Sequence, residues 1–147
     1  TKWLETAWKS YHDNLNQILK RVYEIFGYYI LLDFHSMPSN NNTGINTDIV
    51  LGDCYGSSIS PKIIMYVKKH FSNNGFKVKL NNPYSGGYIT ENYGLPKKGL
   101  HTLQIEINRS LYLNEQTREK NHNFNYLQNI IKIFLENLER EKDQLLK

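Results

Sequence analysis

Cysteine is almost absent from this chain of 147 residues. The single Cys54 excludes an internal disulfide and fits a reducing compartment, so a cytoplasmic location is expected. Long apolar runs are missing as well. The nearest is Val22 to Phe34, interrupted by Tyr23, Glu24 and Gly27. A membrane span needs roughly 20 apolar residues, so no membrane partner is expected. The opening Thr1-Lys2-Trp3-Leu4-Glu5 has no basic start followed by an apolar stretch, which excludes a signal peptide. It also lacks an initiator Met, the expectation for a fragment or a trimmed chain. There is no Cys-Cys pair, no His-x-x-x-His and no Gly-x-Ser-x-Gly nucleophile elbow. His12, His70, His101 and His122 have no ligand spacing with His35 or with one another. With no internal repeat and no linker, 1–147 reads as one domain or part of one.

What is present is ordinary in bulk: 39% hydrophobic and 22% charged, as in a soluble globular protein. A net charge of +4 and a pI of about 9.0 raise the question of nucleic acid. The lysines are scattered, however (Lys62, Lys68, Lys69, Lys77, Lys79, Lys97, Lys98), and Glu139-Arg140-Glu141-Lys142-Asp143 mixes both signs. This is a solvated surface, and no nucleic-acid partner is expected.

Along the chain, Leu4, Ala7, Trp8, Tyr11, Leu15, Ile18, Leu19, Val22, Ile25 and Phe26 recur at helical spacing. They predict an amphipathic helix over Trp3 to Phe26, stopped by Gly27. Tyr28 to Leu32 is apolar on both faces and predicts a central strand. Ser36 to Thr47 reads as loop, and Asp48 to Leu51 as a short strand. Ser60 followed by Pro61 is a helix start, with Ile63, Ile64, Val67 and Phe71 as the buried stripe. Phe76, Val78 and Leu80 alternate as a third strand. Asn82 to Gly99 reads as a long loop of the functional kind. His101 to Asn108 is the clearest strand: Leu103, Ile105 and Ile107 face one way, and Gln104, Glu106 and Asn108 the other. A last helix follows, with Phe124, Leu127, Ile130, Ile131, Phe134, Leu135, Leu138 and Leu145 inward. The fold class is α/β, a mixed central sheet flanked by helices.

Two groups can carry chemistry. His35 is expected just past the first strand, where open α/β sheets collect ligands, with Asp33 two residues back on the same side. A carboxylate there can hold the second nitrogen of a metal-bound imidazole. Equally, His35 can be structural and Asp33 a loop cap. Glu106 shares a strand face with Gln104 and Asn108. That face is either the wet side of a sheet edge or a pocket in which Glu106 moves protons. Arg109 either grips a substrate carboxylate with two parallel hydrogen bonds or pairs at the surface with Glu115 or Glu119. In Asn81 to Ile89 the spacing and the Lys of a phosphate-binding loop are absent, but Gly86-Gly87 permits close backbone approach and Tyr88 can reach a substrate.

These residues resemble a known family. Tyr11-His12, Leu32-Asp33-Phe34-His35-Ser36-Met37-Pro38, Ile49-Val50-Leu51-Gly52-Asp53, Asn81 to Ile89, Tyr93-Gly94 and His101 to Tyr112 occur, in order, as in the N-formylglutamate amidohydrolases, relatives of the zinc carboxypeptidases. The resemblance implies a zinc-exopeptidase type of fold and a metal-dependent hydrolase, with Zn2+ or another divalent ion as cofactor. Its substrate would be a small N-acyl amino acid, typically N-formyl-L-glutamate, which gives glutamate and formate. By the same resemblance His35 is a metal ligand and Glu106 the general base and acid. Asn82, Gly87, Tyr88 and Arg109 lie near the substrate, with Asp33, Gln104 and Asn108 behind them. The family opens with a histidine-bearing strand end and an acidic residue that supply further ligands, and nothing from Thr1 to Tyr11 matches these. This implies a C-terminal portion lacking its N-terminal strands, a bare sheet edge, exposed apolar surface, and no tight zinc binding by this chain alone. An N-terminal companion chain or self-association would then complete it. The alternative is an inactive remnant or a binding module on the same fold.

Overall fold

A computed structural model describes residues 2–39 and 47–147. The expected loop over 40–46, Asn40-Asn41-Asn42 included, lies outside the described residues. The elements are α1 (Lys2–Phe26), β1 (Tyr29–Met37), β2 (Ile49–Gly52), α2 (Pro61–Asn73), β3 (Val78–Leu80), α3 (Tyr88–Tyr93), β4 (Leu100–Asn108) and α4 (Phe124–Leu145). Short 3-10 turns occupy Pro96–Lys98 and Arg109–Leu111.

The four strands form one mixed sheet in the order β1-β4-β2-β3. β1 and β4 are parallel over their whole length, from Tyr29↔Leu100 to Met37↔Asn108. β2 runs antiparallel to β4 and parallel to β3. One face carries the main core: Ile49, Leu51, Leu103, Ile105 and Ile107 pack on Ile63, Val67 and Phe71 of α2 and Leu127, Ile130 and Phe134 of α4. On the other face α1 and α3 close over Tyr29 and Leu31, with Leu19 and Tyr93 buried between. Polar residues of β1 and β4 on that face therefore sit under partial cover.

Local signals account for the helix ends. Gly27, at φ +76°, donates its N–H to Tyr23 O and stops α1. Ser60 Oγ accepts from Ile63 N–H at 3.4 Å, with Pro61 in the first turn of α2.

Four expectations need correction. β1 does not end before His35; it continues to Met37, because β4 offers a parallel partner for its entire length. β1 is not central either: among the described residues it has a neighbour on one side only. The loop after Asn82 contains α3, which Gly87 starts and whose residues Thr90 and Tyr93 are buried. Most of the apolar face of α1 is uncovered, in line with the exposed apolar surface expected of a chain lacking its N-terminal strands. Only His12 and Leu19 of α1 are buried. Trp3 is 68% exposed and Ile25 70%, and Leu4, Trp8, Tyr11, Ile18 and Phe26 are exposed with them. The helix rests on the sheet through Leu15, Leu19 and Val22, and the described residues offer nothing to cover the rest. On α4, Leu135 is likewise exposed rather than inward.

Candidate active site

β4 places Gln104 and Glu106 on the face that α1 and α3 cover. β1 places Asp33 and His35 beside them, in register: Asp33↔Gln104 and His35↔Glu106. Side chains opposite each other on parallel strands share a face, so the lateral neighbours meet. His35 Nε2 lies 2.9 Å from Asp33 Oδ2. Only the imidazole can donate to that carboxylate, which assigns the Nε2 proton and leaves Nδ1 for other work. Nδ1 lies 3.9 Å from Glu106 Oε1. Gln104 Nε2 donates to the same Oε1 at 2.9 Å.

Glu106 is only 7% exposed. It is not on a wet sheet edge, because β4 is an inner strand. Val50 of β2, fully buried, is its register partner on the other side. Burial pushes the Glu106 carboxyl above the usual range. His35 and the Gln104 amide pull it back, Asp33 adds to the rise, and Arg109 opposes it. A carboxyl so placed is suited to holding and releasing a proton.

The Gly86-Gly87 segment forms one wall. A Cβ on Gly87 would lie 3.3 Å from Gln104 Oε1, and one on Gly86 (φ +125°) would strike Cys54 Sγ at 2.7 Å. Tyr88 is half exposed and stacks edge-on against Trp8 and His12, with centroids 5.3 and 4.8 Å away. Arg109 Nε donates to Ser36 Oγ at 3.4 Å. No carboxylate of the described residues lies within ion-pairing distance of Arg109, so neither Glu115 nor Glu119 occupies its guanidinium; Glu115 accepts from Ser39 instead. Asn82 is exposed, at a cis bond to Pro83. Asn108 is engaged elsewhere: its Nδ2 donates to Thr47 O, and its Oδ1 accepts from Ser110. The structure thus joins Asp33, His35, Glu106, Gln104 and Gly87 in one contiguous cluster. Its hydrogen bonds do not join Asn108 to Glu106.

Two polar pairs behind this cluster were not singled out from the sequence. His12 Nδ1 lies 2.6 Å from the Tyr93 hydroxyl, pinning α1 to α3. Asn81 Nδ2 donates to Asp53 Oδ1 at 2.6 Å, pinning the start of the Gly86-Gly87 loop to the end of β2. All four residues stand inside the blocks that carry the family resemblance, which was the available signal.

Among the described residues no three His, Cys, Asp or Glu side chains are grouped to hold an ion. One imidazole nitrogen, with its partner nitrogen already on Asp33, does not make a closed site.

The fold and this cluster define an α/β protein with a buried, imidazole-flanked carboxyl on its covered sheet face. The chain belongs to the N-formylglutamate amidohydrolase family, whose family model matches residues 1–113. It is 35% identical over 118 residues to an N-formylglutamate deformylase of Pseudomonas putida, a match covering 78% of this chain and 44% of that one. A second N-formylglutamate deformylase, from Pseudomonas aeruginosa, is 31% identical over 119 residues, covering 78% and 45%. The crystal structure of an N-formylglutamate amidohydrolase from Ralstonia eutropha JMP134 superposes with a TM-score of 0.80 at 33% identity, over 86% of this chain and 49% of that one. The chain spans about half the length of the relatives it matches. No helix of the described residues is long and apolar enough to cross a membrane.

Proposed function

We propose that this chain carries one share of the active centre of an amidohydrolase acting on N-formyl-L-glutamate. The observation that supports this best is the convergence of His35 and Glu106 on one covered face, 3.9 Å apart, in a member of this family. Water adds to the formyl carbon, the C–N bond breaks, and glutamate and formate leave. Glu106 takes the proton of the attacking water and gives it to the departing nitrogen. Gln104 orients its carboxyl. Arg109, free of carboxylate partners, receives the substrate's carboxylate, and Gly87, Tyr88 and Asn82 line the approach.

If the complete enzyme holds a divalent ion such as Zn2+, His35, steadied by Asp33, would offer Nδ1 as one ligand, and the ion would supply Lewis-acid activation of water. The remaining ligands would have to come from outside the described residues, in a companion segment or a second copy. The lack of a closed metal site favours a second reading, an inactive member of the family, when the chain is alone.

The test measures formate released from N-formyl-L-glutamate, together with bound metal. It compares the chain alone with the chain mixed with a polypeptide spanning the unmatched part of the Pseudomonas putida relative. The expected result is no turnover and little zinc alone, and turnover in the mixture that falls by about 100-fold or more in Glu106→Gln. Turnover by the chain alone with added zinc, or a mixture in which Glu106→Gln is as active as the parent, would refute the assignment.

A further inference from the structure

At the other end of β4 from Glu106, the start of α2 borders an open cavity of about 640 Å³. Ser60, Lys62, Lys97, His101 and Lys147 line it, and no Asp or Glu does. His101 is the informative member. It is 4% exposed. Ser60 N–H donates to its Nδ1 at 3.3 Å. Nδ1 is therefore the unprotonated nitrogen, and the neutral ring carries its proton on Nε2. Burial lowers the affinity of this imidazole for a second proton, so the ring is neutral at pH 7.

Among the described residues no acceptor meets that Nε2–H. Nor is it sealed in the interior: among the described residues, the fully enclosed side-chain atoms without a partner are Thr47 Oγ1 and Thr102 Oγ1. His101 is itself one of the residues lining the cavity. Around it stand the N-terminus of a helix of 13 residues, with its partial positive charge, and the ammonium groups of Lys62 and Lys97. Lys62 Nζ already donates to Gln144 O at 3.2 Å, which holds it across the gap between α2 and the end of α4. A buried neutral donor, a helix N-terminus and two cations, with no Asp or Glu side chain in the lining, form a receptor for an anion.

The geometry points to a small-oxyanion site, of inorganic-phosphate size, bound by His101 Nε2–H with Lys62 and Lys97 at the start of α2. The site is separate from the Glu106 cluster and does not depend on the hydrolase reading. A ligand there ties the Gly27–Tyr28 turn, α2 and the end of α4 together, so its occupancy is read as stability.

The experiment titrates inorganic phosphate against the thermal midpoint at pH 7, with NaCl keeping ionic strength constant, for the parent chain and for a Lys62→Gln/Lys97→Gln double variant. Both lysines are exposed, so the variant keeps the fold. In parallel, 15N NMR follows the His101 imidazole. The parent should rise by about 3–6 °C when phosphate reaches ten times its Kd, while the double variant loses most of that rise. The His101 Nε2 signal should move along the same saturating curve. Equal midpoints in phosphate and in NaCl would overturn the proposal. So would a rise that the double variant retains, which is general salting, or a His101 signal that stays still.

Discussion

The Tyr93 hydroxyl lies 2.6 Å from His12 Nδ1, joining α3 to α1 across the covered face of the sheet. Asn16 Nδ2 also reaches that hydroxyl, at 3.4 Å, and Tyr29 donates its own hydroxyl to Tyr93 O at 2.6 Å. Removing the imidazole leaves a buried phenol with one long hydrogen bond. His12→Phe should therefore destabilise the chain by about 1–3 kcal/mol, the cost of an orphaned buried polar group. Urea unfolding at pH 7.5 measures it, and Tyr93→Phe in the same background should recover part of the loss.

Gly52 ends β2 with the backbone of the Gly86 loop directly against it. A Cβ there would stand 2.6 Å from Gly86 N and 2.7 Å from Ser85 C. Neither atom belongs to a flexible side chain, so the loop itself must move. Gly52→Ala should cost about 1–3 kcal/mol by overpacking. It should also shift the amide signals of Gly86 and Gly87 in 1H–15N spectra. Unchanged loop signals would contradict the stated contact.

The β4 alternation was readable because its two faces differ in chemistry: Leu103, Ile105 and Ile107 went to the core and Gln104 and Glu106 to the site. α1 was readable from its period, but the period says only where an apolar face is, not what covers it. Trp8, Ile18 and Ile25 show the difference. The extent of β1 was hidden because Asp33, His35 and Ser36 look like loop residues. They are strand because β4 satisfies their backbone, which is a non-local fact. α3 was hidden for a similar reason: six residues carry too little periodicity, and Tyr93 holds the turn by bonds to residues far away in the chain. The His35–Glu106 proximity needed the register of two strands, which no local pattern supplies.

His101 gives the stability a pH dependence whose sign is fixed by burial. Its folded pKa is depressed by desolvation, against about 6.5 when unfolded. Between those values the unfolded chain binds more protons, so stability rises with pH. The contribution is complete above about pH 6.5 and is lost as pH falls through the depressed value. In phosphate-free buffer His101 should make the parent lose stability, relative to a variant lacking the imidazole, as pH falls from 7.5 to 5. His101→Gln, which keeps an acceptor for Ser60 N–H, should therefore gain stability relative to the parent on going from pH 7.5 to pH 5. Guanidinium unfolding at the two pH values decides it.

Glu106 carries the opposite sign. Its folded pKa is raised by burial above the ordinary 4.5, so folding works against its ionisation. The folded state binds more protons than the unfolded one between those values. The contribution of Glu106 to stability is highest below about pH 4.5 and declines as pH rises through the elevated value. Glu106→Gln removes the ionisation while the substituted amide still accepts from Gln104 Nε2. The variant should therefore unfold at a higher temperature than the parent at pH 7, and the two curves should converge below about pH 4.5. A buried carboxyl that weakens its own fold supports the proton-transfer role proposed for Glu106. If Glu106→Gln were less stable than the parent at pH 7, the carboxylate would be holding the fold together through His35, and its assignment as a proton carrier would lose this physical support.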